Sequence, residues 1–84
     1  TYSVRLIFAE PDDVTPGQRV FDVRLQGEVA ISGLDVRQAT GGSRRAMEKR
    51  LTGILVRDEL RLELIPAEGS ALPPILNGIE IIAE

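Results

Sequence analysis

Apolar and polar residues alternate with a period of two along most of this 84-residue chain. The clearest case is the segment 2–9, in which one face is apolar throughout: Tyr2, Val4, Leu6 and Phe8. Side chains of a β-strand point alternately to opposite faces, so this spacing predicts a strand with one face in a core. Ile7 and Ala9 add apolar residues to the other face. That pattern predicts a central strand with a neighbour on each side and cover on both faces.

The same alternation predicts five further strands. They fall at 21–26, 29–31, 44–56, 60–64 and 75–82, with Gln26-Gly27 as a tight turn between the second strand and the third. The segment 44–56 also contains helix-forming residues. We interpret it as a strand because its neighbours are strands and six helix formers alone make a marginal helix. The sequence therefore predicts an all-β fold of antiparallel strands in a sandwich-like arrangement.

Two loops interrupt this pattern. Residues 38–43 are predicted to form a flexible, glycine-bearing loop that follows residues 33–36. Asn77-Gly78 is a strong hairpin signal, but only two residues separate it from Pro73-Pro74, too few for a paired strand. We therefore favour a single strand with a bulge or a close backbone approach at Gly78.

The chain contains no histidine and no cysteine. These residues provide the usual general base, the thiol nucleophile and most zinc or copper ligands. The serines have no histidine to activate them within the chain, and no glycine-rich phosphate loop is present. A carboxylate pair for glycoside hydrolysis is only a weak signal among thirteen acidic residues. The sequence therefore predicts that the chain is not an enzyme and that it has no catalytic residue, no metal and no cofactor.

Charged residues leave two alternatives open. Asp12-Asp13 offers oxygen ligands for calcium, although adjacent acids in a loop more often only solvate it. Arg44, Arg45, Lys49 and Arg50 form a basic cluster that either meets an anionic partner or flanks a strand in solvent. The net charge of −3 argues against nucleic acid as a partner. No apolar stretch approaches the length of about 20 residues that membrane insertion requires.

Arg19 and Asp22 lie three residues apart at the start of the second strand. This spacing favours an ion pair or a hydrogen bond that fixes the turn. We expect Asp22 to accept hydrogen bonds from Arg19 or from loop amides and to do no chemistry.

Several segments together resemble a known family. Phe8-Ala9-Glu10 is followed by a loop, then Phe21-Asp22-Val23, Gly27 and Leu34-Asp35-Val36, and the chain continues with Pro73-Pro74-Ile75-Leu76-Asn77-Gly78-Ile79-Glu80-Ile81. This order resembles the C-terminal half of a malectin or malectin-like domain, and the last segment resembles the bacterial type.

The resemblance implies a jelly-roll β-sandwich of the galactose-binding type that serves as a carbohydrate-binding module. It implies an extracellular or periplasmic location in an exported bacterial protein. Glu10, Asp22 and Asn77 match motif positions, so they are weak ligand-binding candidates that we interpret mainly as scaffold residues. The family's sugar-stacking aromatic residues fall mostly before Tyr2, and a further aspartate falls just beyond Glu84.

The resemblance and the alternation together set our expectations for organisation. Tyr2, Phe8 and Phe21 lie in alternating strands, so we expect them in the core and expect no complete sugar site within these residues. We expect residues 1–84 to form a single, incomplete domain, the C-terminal part of a longer malectin-like domain. Its partners would be a glycan bound by the complete domain, and another polypeptide segment or further copies of the chain. The alternative is a structural β-sandwich for protein contact or assembly without a sugar site.

Overall fold

The alternating segments form six strands in the structure, a computed structural model that describes residues 1–84. In chain order the elements are β1 (Tyr2–Ala9), β2 (Phe21–Leu25), β3 (Glu28–Leu34), α1 (Val36–Thr40), β4 (Ala46–Ile54), β5 (Leu62–Pro66) and β6 (Gly78–Ala83). Sheet A has the strand order β4-β1-β6, and sheet B has the order β3-β2-β5. Every pairing is antiparallel. The structure thus confirms the predicted all-β fold as an incomplete β-sandwich.

The core lies between the two central strands. Most of its buried apolar residues lie at every second position of these two strands: Val4, Leu6 and Phe8 in β1, and Phe21, Val23 and Leu25 in β2. The rings of Phe8 and Phe21 meet across the sheets with their centroids 5.9 Å apart. Full burial of one such side chain contributes about 1.5–3 kcal/mol. The predicted core face of both strands is confirmed, and Tyr2 is half-buried at the end of β1.

The opposite face of β1 is not covered by any second layer of these residues. Arg5 lies there and forms ion pairs with Glu48 of β4 (3.2 Å) and Glu80 of β6 (3.0 Å). Ile7 lies beside Gly78. Antiparallel sheets commonly bury one face and solvate the other. The neighbours that were predicted on both sides of β1 are therefore present, whereas the predicted cover on both faces is not.

The predicted turn between β2 and β3 is confirmed. Gln26 and Gly27 both have positive φ angles, 54° and 81°, as a type I′ turn requires. Glutamine rarely adopts this conformation, and its side chain is held in place here. Its Nε2 donates to the carbonyl oxygens of Leu55 and Glu59, and its Oε1 accepts from the amide of Arg61. The turn is therefore fixed to the loop before β5.

The loop predicted at 38–43 is wrong in its first part, where α1 forms. Asp35 caps the helix by accepting a hydrogen bond from the Gln38 amide (3.1 Å), and Gly41 ends it with φ 78°. Val36 is buried against the core. Two caps and one buried anchor therefore hold a helix of five residues that is too short to be stable alone.

The segment 44–56 is a strand, as predicted, and β4 carries an irregularity near Gly53, where φ is 67°. Asn77-Gly78 is not a hairpin, as predicted, but β6 begins only at Gly78, so the strand start predicted at residue 75 is wrong. Gly78 is the first residue of a regular ladder with β1, so the predicted bulge there is also wrong. A Cβ at Gly78 would lie 3.5 Å from Ile7 Cδ1, an ordinary contact distance. No helix has the length and apolar character needed to cross a bilayer.

Candidate binding groove

A groove opens between the edge strands β3 and β4, beside α1. It is an open depression with a volume of about 400 Å³, lined by Ile31, Ser32, Gly33, Leu34, Asp35, Gln38, Ala39, Met47 and Lys49. We call it the α1 groove. The same margin of the sandwich opens again near the β2–β3 turn, in a smaller space of about 270 Å³. The groove exists because β3 and β4 are the outermost strands of different sheets and no further strand closes the gap between them.

The α1 groove has an apolar floor and a polar rim. Ile31, Leu34 and Met47 belong to the core cluster or pack against it. Gln38 and Lys49 are exposed at the rim, and their side chains make no hydrogen bond or ion pair with the chain. A pyranose has a similar division, with an apolar ring face and hydroxyl groups around its edge. The groove therefore offers both kinds of contact that a sugar uses.

Asp35 fixes one wall of the α1 groove. Its Oδ1 accepts from the Gln38 amide at 3.1 Å, and its Oδ2 accepts from the Gly17 amide at 2.6 Å. The residue is only 8% exposed. Both carboxylate oxygens are therefore engaged in joining α1 to the loop between β1 and β2.

Arg19 connects the loops at the same end of the sandwich. It is 5% exposed. Its guanidinium donates to Glu10 Oε1 (2.7 Å), to the Pro73 carbonyl oxygen (2.7 Å) and to Asp12 Oδ2 (3.1 Å). The predicted pair between Arg19 and Asp22 is therefore wrong. No local pattern indicates the pair with Glu10, because the path of the loop between β1 and β2, and not strand spacing, brings the two residues together.

The three candidates for ligand binding each accept a hydrogen bond from a backbone amide. Glu10 accepts from Asp12 (3.2 Å), Asp22 from Gly33 (2.8 Å) and Asn77 from Ala9 (2.7 Å). None of the three lines the α1 groove. Asn77 and Glu10 both lie at the end of β1, because Asn77 accepts from Ala9, whereas Asp22 lies on β2 beside Gly33. Asp22 still supports the groove indirectly, since it holds Gly33 in the lining. These contacts agree with scaffold roles, and ligand contact by any of them stays a prediction.

The adjacent acids Asp12 and Asp13 each meet an arginine. Asp12 contacts Arg19, and both oxygens of Asp13 accept from Arg44 (2.8 and 3.1 Å). The hydrogen bonds and positive charge of Arg44 lower the pKa of Asp13 below its ordinary value of 3.8. The structure contains no group of three or more acidic side chains that could hold a metal ion.

The basic cluster does not form one continuous patch. Arg44 pairs with Asp13, whereas Arg50 approaches Glu48 at 3.9 Å on the outer face of sheet A. Lys49 lies between them in sequence but on the opposite face, in the lining of the α1 groove. Strand alternation therefore divides the cluster, and only Lys49 contributes its charge to the groove.

The chain is similar to one protein family and to two plant receptor kinases. The profile of the malectin domain matches residues 1–73. A nodulation receptor kinase of Pisum sativum is 39% identical over 82 residues, and a probable receptor-like protein kinase of Arabidopsis thaliana is 33% identical over 92 residues. Each comparison covers 96% of this chain, which spans only 8% and 11% of the two relatives. Both relatives are plant proteins and do not support the expected bacterial type. No solved structure matches the chain.

Proposed function

The chain belongs to the malectin domain family, and from that premise we propose that it is a non-catalytic carbohydrate-binding module, or part of one, within a larger exported protein. The match of the malectin domain to residues 1–73 is the observation on which the proposal depends. The polar rim and apolar floor of the α1 groove support it.

The groove supplies only part of what a sugar site commonly uses. Phe8 and Phe21 are fully buried, and Tyr2 is half-buried at a strand end, so none of them offers an open aromatic platform. We propose that the groove contributes hydrogen bonds through Gln38 and Lys49, while aromatic stacking comes from the complete domain. Glu10, Asp22 and Asn77 then act by holding the loops and strands that shape the site.

The proposed context follows from the same family. We propose that residues 1–84 are the C-terminal part of a longer malectin-like domain that lies outside the cytoplasm. Both relatives are described as receptor kinases, and this chain corresponds to a small part of each. A receptor-like host therefore has more support than the exported bacterial host that the segment 73–81 favoured.

The decisive experiment is a glycan array probed with the host protein that carries the complete domain. We expect binding to one or more neutral glycans, and we expect Gln38→Ala and Lys49→Ala to weaken that binding. Arg57→Ala is the matched control, because Arg57 is exposed and lies outside the groove. Failure to bind any neutral glycan would contradict the proposal.

The second candidate function is a structural β-sandwich for assembly without a sugar site. The exposed isoleucines of β6 favour it, since an uncovered apolar strand often marks a contact surface. In that case Lys49→Ala would change neither glycan binding nor assembly, whereas replacing Ile81 with a charged residue would disrupt assembly.

A further inference from the structure

The dipeptide Asn77-Gly78 carries a reactive side chain as well as a structural role. Asn77 is the only asparagine of the chain, and it directly precedes β6. Glycine has no Cβ and the freest backbone of all residues, so its nitrogen can approach the side-chain amide of a preceding asparagine. Asparagine is a chemically labile residue, and a following glycine makes loss of its amide nitrogen especially easy.

This reaction requires only water as a co-reactant. The Gly78 backbone nitrogen attacks Cγ of Asn77 and forms a C–N bond, while the side-chain nitrogen leaves as ammonia and takes the proton of the Gly78 amide. Water then opens the cyclic imide. Cleavage of the new Cγ–N bond gives aspartate, whereas cleavage of the original backbone C–N bond gives isoaspartate, in which the main chain runs through the former side chain.

The fold holds Asn77 at two points. Its Oδ1 accepts from the Ala9 amide at 2.7 Å, and its own amide donates to the Ile7 carbonyl oxygen at 2.9 Å. Gly78 follows as the first residue of β6, in register with Ile7. Ring closure rotates both the side chain of Asn77 and the backbone between Asn77 and Gly78. It therefore requires these contacts to open locally.

We propose that Asn77 is a modification site controlled by the pairing of β1 with β6. It converts to aspartate or isoaspartate only in molecules in which the start of β6 has separated from β1. Both contacts that hold Asn77 lie within residues 1–84. Further chain that covers β6 in a longer domain slows the opening but does not change which atoms react. The modification does not depend on glycan binding in the α1 groove.

The two products differ in their effect on the fold. Aspartate keeps a side-chain oxygen in the same position and still accepts from Ala9. Isoaspartate lengthens the main chain by one carbon–carbon bond, about 1.5 Å, and its free carboxylate is attached directly to Cα. It cannot keep both the contact with Ala9 and the register of Gly78. Pro73 is fixed by Arg19 (2.7 Å), so the short segment between Pro73 and β6 has little room to adjust. Isoaspartate therefore makes a transient opening permanent.

The test incubates the host protein that carries the complete domain at neutral pH and physiological temperature. Peptide mapping by mass spectrometry detects the conversion of amide to acid, and enzymatic methylation detects isoaspartate. A synthetic peptide of residues 72–82 gives the rate for an unfolded chain in the same buffer. We expect Asn77 in the host protein to react at least about tenfold more slowly than in the peptide, because only the open fraction reacts.

Hydrogen exchange in the wild-type host protein measures the same opening without any substitution. The protection factor of the Ala9 amide should equal the slowing of the reaction at Asn77 within about threefold, because both depend on separation of Ala9 from Asn77. After incubation, exchange at Ala9 should be fast in molecules with isoaspartate. It should remain slow in the variant Asn77→Asp, which keeps the acceptor.

Variants of the host protein separate this control from general loosening of the fold. Ala9→Pro removes the amide that holds Oδ1 of Asn77 and should raise the rate toward that of the peptide. Ala46→Pro is the matched control, because Ala46 lies opposite Ala9 on β4 and its replacement leaves the Asn77 contact in place. Gly78→Ala should slow the reaction in both protein and peptide. Its added Cβ lies 3.5 Å from Ile7 Cδ1, so the fold accepts it. Circular dichroism checks that each variant remains folded.

Three results would overturn the proposal. The first is an equal rate of reaction in the host protein and in the peptide. The second is protection of the Ala9 amide that differs by more than about tenfold from the slowing at Asn77. The third is a folded Ala9→Pro variant that reacts no faster than Ala46→Pro. An unchanged stability of the isoaspartate form would contradict only the stated effect on the fold.

Discussion

Arg19 is a single side chain that holds three parts of the chain together. Its guanidinium contacts Glu10 at the end of β1, Asp12 in the following loop and Pro73 before β6. Both Arg19 and Glu10 are at least nine-tenths buried. A buried ion pair is costly to desolvate and is weak evidence of net stabilisation, but removing one partner leaves the other charge uncompensated.

Arg19→Met is therefore expected to lower the free energy of unfolding by about 3–5 kcal/mol, the usual cost of breaking a buried pair. Urea denaturation followed by circular dichroism measures the change. Arg45→Met is the matched control, because Arg45 is exposed and has no ion pair. The double variant Glu10→Leu with Arg19→Met should recover part of the loss. Equal effects at Arg19 and Arg45 would show that the buried pair has no special role.

A different outcome is expected for the exposed pair of Asp13 and Arg44. A carboxyl group whose pKa is lowered on folding contributes stability above its unfolded pKa, here near 3.8. The contribution disappears as the pH falls through the lower folded pKa. Asp13→Asn should therefore reduce stability near neutral pH and have no effect in strong acid. Stability curves against pH for Asp13→Asn, Arg44→Gln and the double variant provide the measurement. If the stability losses of the two single variants added up in the double variant, the losses would not arise from the pair of Asp13 and Arg44.

Among the secondary-structure elements, α1 depends most on one residue. Asp35 accepts from the amides of Gln38 and Gly17 and so joins the helix to the loop after β1. Asp35→Ala should cost about 1–2 kcal/mol, as loss of a helix cap commonly does. Asp35→Asn should cost less, since it keeps an oxygen acceptor. Hydrogen exchange at Gln38 and Gly17 should accelerate together in Asp35→Ala. Acceleration at only one of the two amides would contradict the joint role.

The elements also show what the sequence could and could not predict. The strands were predictable because alternation is local, and the turn at Gln26-Gly27 was predictable because glycine permits the required φ. Helix α1 was missed because five residues contain no detectable period. Its signals were the cap pattern from Asp35 to Gln38 and the glycine at position 41. The α1 groove was beyond prediction, since it depends on β3 and β4 facing each other from different sheets.

The whole molecule has a small core with two open margins. Only 11 of the 84 residues are buried. The radius of gyration is 13.1 Å, against about 12 Å for a compact domain of this length. One margin is the α1 groove, and the other exposes Ile79 and Ile81. Both margins expose apolar side chains that a larger assembly would cover.

The 84-residue chain alone is therefore expected to self-associate or aggregate, and Ile81→Lys is expected to reduce this tendency. Analytical ultracentrifugation over a range of concentrations measures the association, with Leu55→Lys as the control. A monomeric 9.2 kDa species that melts cooperatively in dilute solution would contradict the expectation. It would also contradict the proposal that the residues 1–84 are part of a longer domain.

The pairing of β1 with β6 has a consequence for the order of events during synthesis. Ser3 contacts Glu84 across a separation of 81 residues. Sheet B, in contrast, has all its strands once Pro66 has left the ribosome. Contacts between distant residues form slowly because a long loop must close first. Of these six strands β1 is synthesised before the others, yet its pairing with β6 must wait until residues 78–83 are made, so nascent chains spend part of their synthesis with one side of β1 unpaired. That interval is when a chaperone would be needed most.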